Sequence, residues 1–144
     1  MQIRPYTEAD EAAVVRLWRI VFPDAPAWND PETDIRRKLS FQRELFFVAE
    51  VDSEIVGTAM AGYDGHRGWV YYVAVSPRNR RRGVGTALMK RVERDLTELG
   101  CPKLNLQIRS SNQEVVSFYE KLGYRVEDHV SMGKLFTSDE KIKI

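Results

Sequence analysis

Apolar positions along this chain change period several times, and each change marks an element. Residues 2–6 alternate as a short strand. Thr7, followed by Glu8 and Asp10, suits a helix start, and Ala12, Val15, Leu17, Trp18 and Val21 form an amphipathic stripe through Phe22, where Pro23 stops it. A proline-punctuated loop over 23–28 follows. A second helix starts at Asn29 or Asp30, with Pro31 in its first position, and is expected to carry Ile35, Leu39 and Phe41 inward. Strand patterns over 45–51 and 55–63 flank the turn Asp52-Ser53-Glu54 as a hairpin, and a turn over 64–68 leads into a third strand at 69–75. Helical period returns after Gly85 through Leu88, Val92, Leu96 and Leu99, with Gly100 where a left-handed cap belongs. Residues 104–108 alternate again, 112–122 read as a helix stopped by Gly123, and 124–126 and 130–135 read as returning strands. The polar tail 137–144 is expected to fray. The order β-α-α-β-β-β-α-β-α-β-β predicts an α/β (α+β) fold, a mixed sheet with helices packed on it.

Composition narrows the classes. A chain of 144 residues with 43% hydrophobic and 30% charged residues fits one globular domain over residues 1–144. The 22 basic and 21 acidic residues give a formal charge of +1, which argues against a nucleic-acid binder built on the local Arg78–Arg82 cluster. No apolar run approaches the ~20 residues that span a bilayer, so no membrane association is expected. Cys101 is the one cysteine, no signal peptide is recognisable, and a cytoplasmic protein is the expectation. Two separated histidines and one cysteine offer no metal-ligand spacing, so no metal is expected.

The chemistry concentrates where the third strand meets the third helix. Val73, Ala74 and Val75 lead through a basic turn to Arg80, Arg81, Arg82, Gly83, Val84, Gly85 and Thr86. Glycines at this Arg-x-x-Gly-x-Gly spacing let backbone N–H groups approach an anion, and the helix start adds unpaired N–H groups and the positive dipole end. A pyrophosphate suits such a turn. A second motif downstream places Asn112 at a helix start and Tyr119 two turns into that helix, so that both can share a side.

The pair of motifs, at this separation, resembles the GNAT superfamily of acetyl-CoA-dependent N-acetyltransferases. The stretches Trp28-Asn29-Asp30-Pro31-Glu32, Gly62-Tyr63-Asp64-Gly65-His66-Arg67-Gly68 and Gly100-Cys101-Pro102-Lys103 are similar to the bacterial YpeA-type acetyltransferases, and the run from Leu104 to Gly123 is similar to the ribosomal-protein alanine N-acetyltransferases. The resemblance implies a mixed, mostly antiparallel sheet of six to seven strands flanked by about four helices. It implies acetyl-CoA as co-substrate, with the pyrophosphate on Arg80 to Thr86, the pantetheine amides on Val73, Ala74 and Val75, and a hydrogen bond to that arm from Asn112. Tyr119 would be the general acid for the leaving thiolate. The implied reaction is direct acetyl transfer to a primary amine in a ternary complex.

Two positions depart from that pattern. Trp69 and Gln107 stand where relatives carry a glutamate, and neither can act as a base. Asp64, His66 and Glu50 are the local base candidates. Trp28, in the inter-helix loop, and Gln107 are candidates for substrate contact. Cys101 has no activating partner in sequence and is not read as a nucleophile. A different class of function, an acyl-CoA-sensing module without turnover, uses the same turn; Tyr119 favours the enzyme. Small polyamine, amino acid, aminoglycoside, lysine side chain and protein N-terminus stay open as acceptors, as do monomer and homodimer.

Overall fold

The computed structural model describes residues 1–136. By internal contacts the chain divides after Leu106, and the two units are described separately.

The first unit, Met1–Leu106, is built on a five-stranded sheet in the order β1 (Gln2–Pro5), β2 (Phe46–Val51), β3 (Glu54–Tyr63), β4 (Gly68–Val75), β5 (Leu104–Asn105). Neighbours are antiparallel until the last pair, where β5 runs parallel to β4. A parallel return needs a crossover, and helix α3 (Val84–Glu98) supplies it. Helices α1 (Glu11–Val21) and α2 (Pro31–Leu39) come between β1 and β2.

Strand β2 shows why the sheet carries helices. Phe46, Phe47, Val48 and Ala49 are all buried, the continuous apolar run of a strand covered on both faces. Phe46 and Val48 join a cluster with Val14, Leu17 and Trp18 of α1 and Ile35 of α2. The buried stripe of α3 is Val84, Leu88, Met89, Val92 and Leu96. This helix can lie close because position 57 has no side chain: a Cβ on Gly57 would sit 2.9 Å from Val84 Cγ1 and 3.0 Å from both Leu88 Cδ1 and the Ala74 carbonyl oxygen. The first turn of α3 is thereby held against β3 and β4.

One ion network ties the chain's start to the sheet. Arg4 donates to Asp10 at 2.8 and 2.9 Å and to Glu50 at 2.9 and 3.2 Å, and Asp10 also accepts the Thr7 N–H at 2.8 Å. The hydrogen bond from Arg4, above all, holds the buried Asp10 carboxyl below its usual range. A depressed carboxyl contributes stability that is present above the unfolded-state value and lost as pH falls through the folded one. Asp10→Asn is therefore expected to destabilise by about 2–3 kcal/mol at neutral pH, the scale of hydrogen bonds to a charged group. Chemical denaturation should show that loss shrinking below the ordinary aspartate range. An undiminished difference at acid pH would refute the linkage.

The second unit begins at Gln107 and holds α4 (Gln113–Lys121). Asn112 accepts the Val115 N–H at 3.4 Å as the N-terminal cap. At the other end Gly123, at φ 97°, donates to the Glu120 carbonyl at 3.0 Å, while Tyr124 donates to Tyr119 at 3.0 Å. This is the paired closure of a Schellman cap.

Four expectations need correction. Among the described residues the sheet has five strands rather than six or seven, because 124–126 and 130–135 form none. Val126, Val130 and Met132 are exposed, so alternation there has no buried face to serve, and a strand without a ladder partner has nothing to hold it. The strand expected over 104–108 ends at Asn105. Phe41 lies past the end of α2 and is exposed rather than inward. Ala12 is exposed, and Val14 takes its place in the buried stripe. The fraying expectation for 137–144 lies outside the described residues.

Candidate active site

From Val75 the backbone passes through a short 3-10 turn, Pro77–Asn79, into the arginine segment. Arg81 has φ 64° and Gly83 has φ 80°. Two left-handed residues in three reverse the chain tightly, and only glycine adopts that conformation without strain. The first bond of α3 runs from the Ala87 N–H to the Gly83 carbonyl at 3.0 Å. The N–H groups of Val84, Gly85 and Thr86 precede it and have no intrahelical acceptor. Val84 is buried and anchors the turn, while Arg80, Arg81, Arg82 and Gly83 are exposed. Among the described residues none of these three arginines forms an ion pair or side-chain hydrogen bond, and the first turn of α3 carries no acid. Three guanidinium groups without an ion pair among the described residues, beside a helix N-terminus, can cradle an anion.

Strand β4 supplies the second element. Its parallel ladder with β5 covers only Gly68 and Trp69. From Val70 to Val75 its ladder partner among the described residues is β3 alone, so one backbone edge is open to an extended guest. The pairing with β3 also slips: Thr58 faces Ala74 while Met60 faces Tyr71, leaving Tyr72 and Val73 opposite Ala59. Tyr72 sits at φ 51° in this bulge. An added residue of this kind bends the strand and re-aims its backbone groups.

Beside the bulge is a cleft of about 330 Å³, lined by Trp18, Phe22, Tyr72, the prolines of the α1–α2 loop, Arg19 and Asp30 among others. The Tyr72 hydroxyl donates to Asp34 of α2. Burial raises the Asp34 carboxyl above its usual range, with the Tyr72 hydrogen bond opposing the shift. A second cleft of about 330 Å³ is lined by Arg82, Arg78, Asn79, Asp52 and Glu54.

The sequence candidates are distributed as follows. The residues from Val73 to Thr86 form one continuous strand–turn–helix. Asp64 and His66 share the exposed turn at the opposite end of β4, where Asp64 Oδ1 accepts the N–H groups of His66 and Arg67, both at 2.8 Å. Those bonds hold the Asp64 carboxyl below its usual range. Glu50 belongs to the Arg4 network. Trp28 is exposed, and the cleft is lined by its neighbours Ala27 and Asn29 rather than by Trp28 itself. In the second unit, Gln107 donates to the Ser131 hydroxyl. Tyr119 is buried, meeting Phe118 and Tyr124 edge-on at 4.9 and 5.6 Å, and burial pushes its phenol up to about 12. It is protonated throughout the physiological range.

Sequence reasoning passed over Asp34, Tyr72 and Thr58. A signal for Thr58 was available: it is the one hydroxyl in the apolar run 56–61. Buried hydroxyls require partners.

Comparison with known proteins bears on family and fold. Residues 12–124 match the model of the Acetyltransferase (GNAT) family. An acetyltransferase of Pectobacterium atrosepticum is 47% identical over 141 residues, covering 98% of this chain and 99% of its own length. Among solved structures, Ard1 from Thermoplasma volcanium superposes with a TM-score of 0.76 at 27% identity, over 88% of this chain and 83% of that one. The aminoglycoside acetyltransferase AAC(6')-Iy, solved with a bisubstrate analogue of coenzyme A, shares the fold with a TM-score of 0.78 at 21% identity, over 94% and 98% of the two chains. With an anion cradle at α3, an open bulged edge on β4 and a family match spanning both sequence motifs, this chain belongs to the GNAT family and is an acetyltransferase.

Proposed function

We propose that residues 1–144 act as one cytoplasmic domain that transfers the acetyl group of acetyl-CoA directly to a primary amine. The observation that carries this reading is the α3 N-terminus: three backbone N–H groups without intrahelical acceptors beside three arginines that have no ion pair among the described residues, continuous with the edge of β4 that no described strand pairs. Val84, Gly85 and Thr86 would hold the pyrophosphate through their N–H groups, with Arg80, Arg81 and Arg82 drawing it in. Val73 to Val75 would pair with the pantetheine amides, and an N–H of that segment would polarise the thioester carbonyl. Asn112 would hydrogen-bond the pantetheine arm.

Acetyl-CoA supplies an activated acyl group whose leaving atom is sulfur. The protein must do the rest. The amine nitrogen has to arrive neutral, form the new C–N bond and release one proton, while the C–S bond breaks and the sulfur gains one. Tyr119 would donate to the departing sulfur; a phenol that stays protonated is suited to that task and to no base role. For the amine proton, Asp64, His66 and Glu50 remain the named candidates, and Asp34 joins them as the half-buried carboxylate bonded to a cleft-lining tyrosine.

Thiol release from acetyl-CoA, measured over a panel of polyamines, amino acids, aminoglycosides and lysine or N-terminal peptides, tests the reading. At least one amine should accelerate it well above hydrolysis. Tight acetyl-CoA binding with no acceleration by any amine would instead identify a sensing module. The pH profile then separates the bases. A carboxylate base loses activity as pH falls through its own pKa, so between the two aspartates an acid limb above the ordinary aspartate range favours Asp34 and one below it Asp64. Of Asp34→Asn, Asp64→Asn, His66→Ala and Glu50→Gln, the variant that lacks the base should lose kcat/KM most below the amine's pKa and above that of the base, where the wild-type base is free to accept the proton. Unchanged profiles in all four would leave an amine that arrives already neutral.

A further inference from the structure

Tyr72, the residue in the left-handed conformation at the β4 bulge, is held at three points. The Thr58 hydroxyl donates to its backbone carbonyl at 2.8 Å. The Trp18 indole stacks on its ring at 3.7 Å between centroids with 10° between planes. Its own hydroxyl donates to Asp34. The first two holds are joined, because Trp18 Nε1–H donates to the same Thr58 oxygen at 2.9 Å. Thr58 thus accepts from α1 and donates to β4 with one oxygen, and both Thr58 and Trp18 are almost fully buried.

A hydroxyl is not needed here for packing, since valine has nearly the same shape. What valine lacks is the hydrogen bond across the slipped register. A non-glycine residue in the left-handed region persists only where its surroundings over-determine it. Here Thr58 fixes the carbonyl of the strained peptide, and with it the direction of the peptide planes that follow toward Val73. Trp18 and Tyr72 also line the cleft, so the cleft wall and the bulge share the same residues.

We infer that Thr58, aimed by the Trp18 indole N–H, is a positioning residue for acetyl transfer: it locks the β4 bulge so that the backbone N–H groups after Tyr72 meet the thioester carbonyl. This rests on the proposed binding of acetyl-CoA along β4. Thr58 touches no substrate atom and acts through the Tyr72 peptide.

The test uses [1-13C]acetyl-CoA bound to the full chain. In the wild type the carbonyl resonance should move downfield from its free position, the sign of a polarised C=O. Thr58→Val should return it toward the free value and lower kcat by roughly 10²-fold, the scale of a small misplacement at a reacting centre. The affinity for coenzyme A without the acetyl group should fall far less than kcat, because its pyrophosphate would still be held at the α3 turn. Thr58→Ser should restore both shift and rate. Trp18→Phe keeps the stacking ring but removes the indole N–H, and should displace the shift in the same direction by less; it decides the matter if Thr58→Val fails to fold. A full carbonyl shift with wild-type kcat in Thr58→Val, or in Trp18→Phe where the first does not fold, overturns the inference. So does an unshifted carbonyl in a wild-type complex that binds acetyl-CoA normally. A wild type that does not bind acetyl-CoA overturns the proposed function itself, and this inference with it.

Discussion

Tyr119→Phe is expected to slow acetyl transfer by roughly 10²–10⁴-fold, the range that general acid catalysis supplies. The substitution is a clean one. The ring keeps its edge contacts with Phe118 and Tyr124, and the cap bond from the Tyr124 N–H goes to the backbone carbonyl of residue 119, which any residue supplies. Fold and acetyl-CoA affinity should therefore stay near wild type while the proton donor is lost. Single-turnover measurement is the proper reading, because slow product release can hide a chemical defect in kcat. Wild-type chemistry in the Phe variant under single turnover would reduce Tyr119 to a packing residue and favour the sensing alternative.

The second large effect is at the turn. Gly83→Val should weaken acetyl-CoA binding by roughly 10–100-fold, since a β-branched residue at φ 80° is strained by energies on the order of 1–3 kcal/mol. Space is not the obstacle: a Cβ there meets nothing within 4 Å. The loss comes from a backbone that leaves the left-handed region and misdirects the N–H groups of Val84, Gly85 and Thr86. Gly85→Val, inside the first turn of α3, tests the close approach of the ligand instead of strain. Arg81→Ala should lose less, and its loss should shrink in high salt because it is long-range attraction. The glycine effects should not be screened in this way. Normal affinity in both glycine variants by calorimetry would remove the pyrophosphate assignment.

What could be read from the sequence follows the range of the forces involved. The hairpin, the strand–turn–helix around Gly83 and the Gly123 cap are local, each set by side-chain period or by the φ of a single glycine. The missing strands at 124–126 and 130–135 are not local, because a strand exists only through its partner, and alternation cannot show whether a partner arrives. Phe41 was misplaced for a related reason: helical period was extended two residues past Leu39, where the chain had already turned. The Trp18–Thr58–Tyr72 contacts join residues 40 and 14 positions apart, and the register slip that creates them leaves no periodic trace. Nothing in the residues around Asp34 shows that α2 sets its carboxylate against the Tyr72 hydroxyl.

The open edge of β4 has a consequence before any substrate arrives. On the side away from β3, a row of backbone donors and acceptors with no ladder partner beyond Trp69 among the described residues is a template for any extended chain, including another copy of this one. Exposed Tyr71 adds an apolar side chain along the same strand. If acetyl-CoA binds along β4 as proposed, it would also blunt this edge, and the protein's tendency to self-associate should fall when the ligand is added.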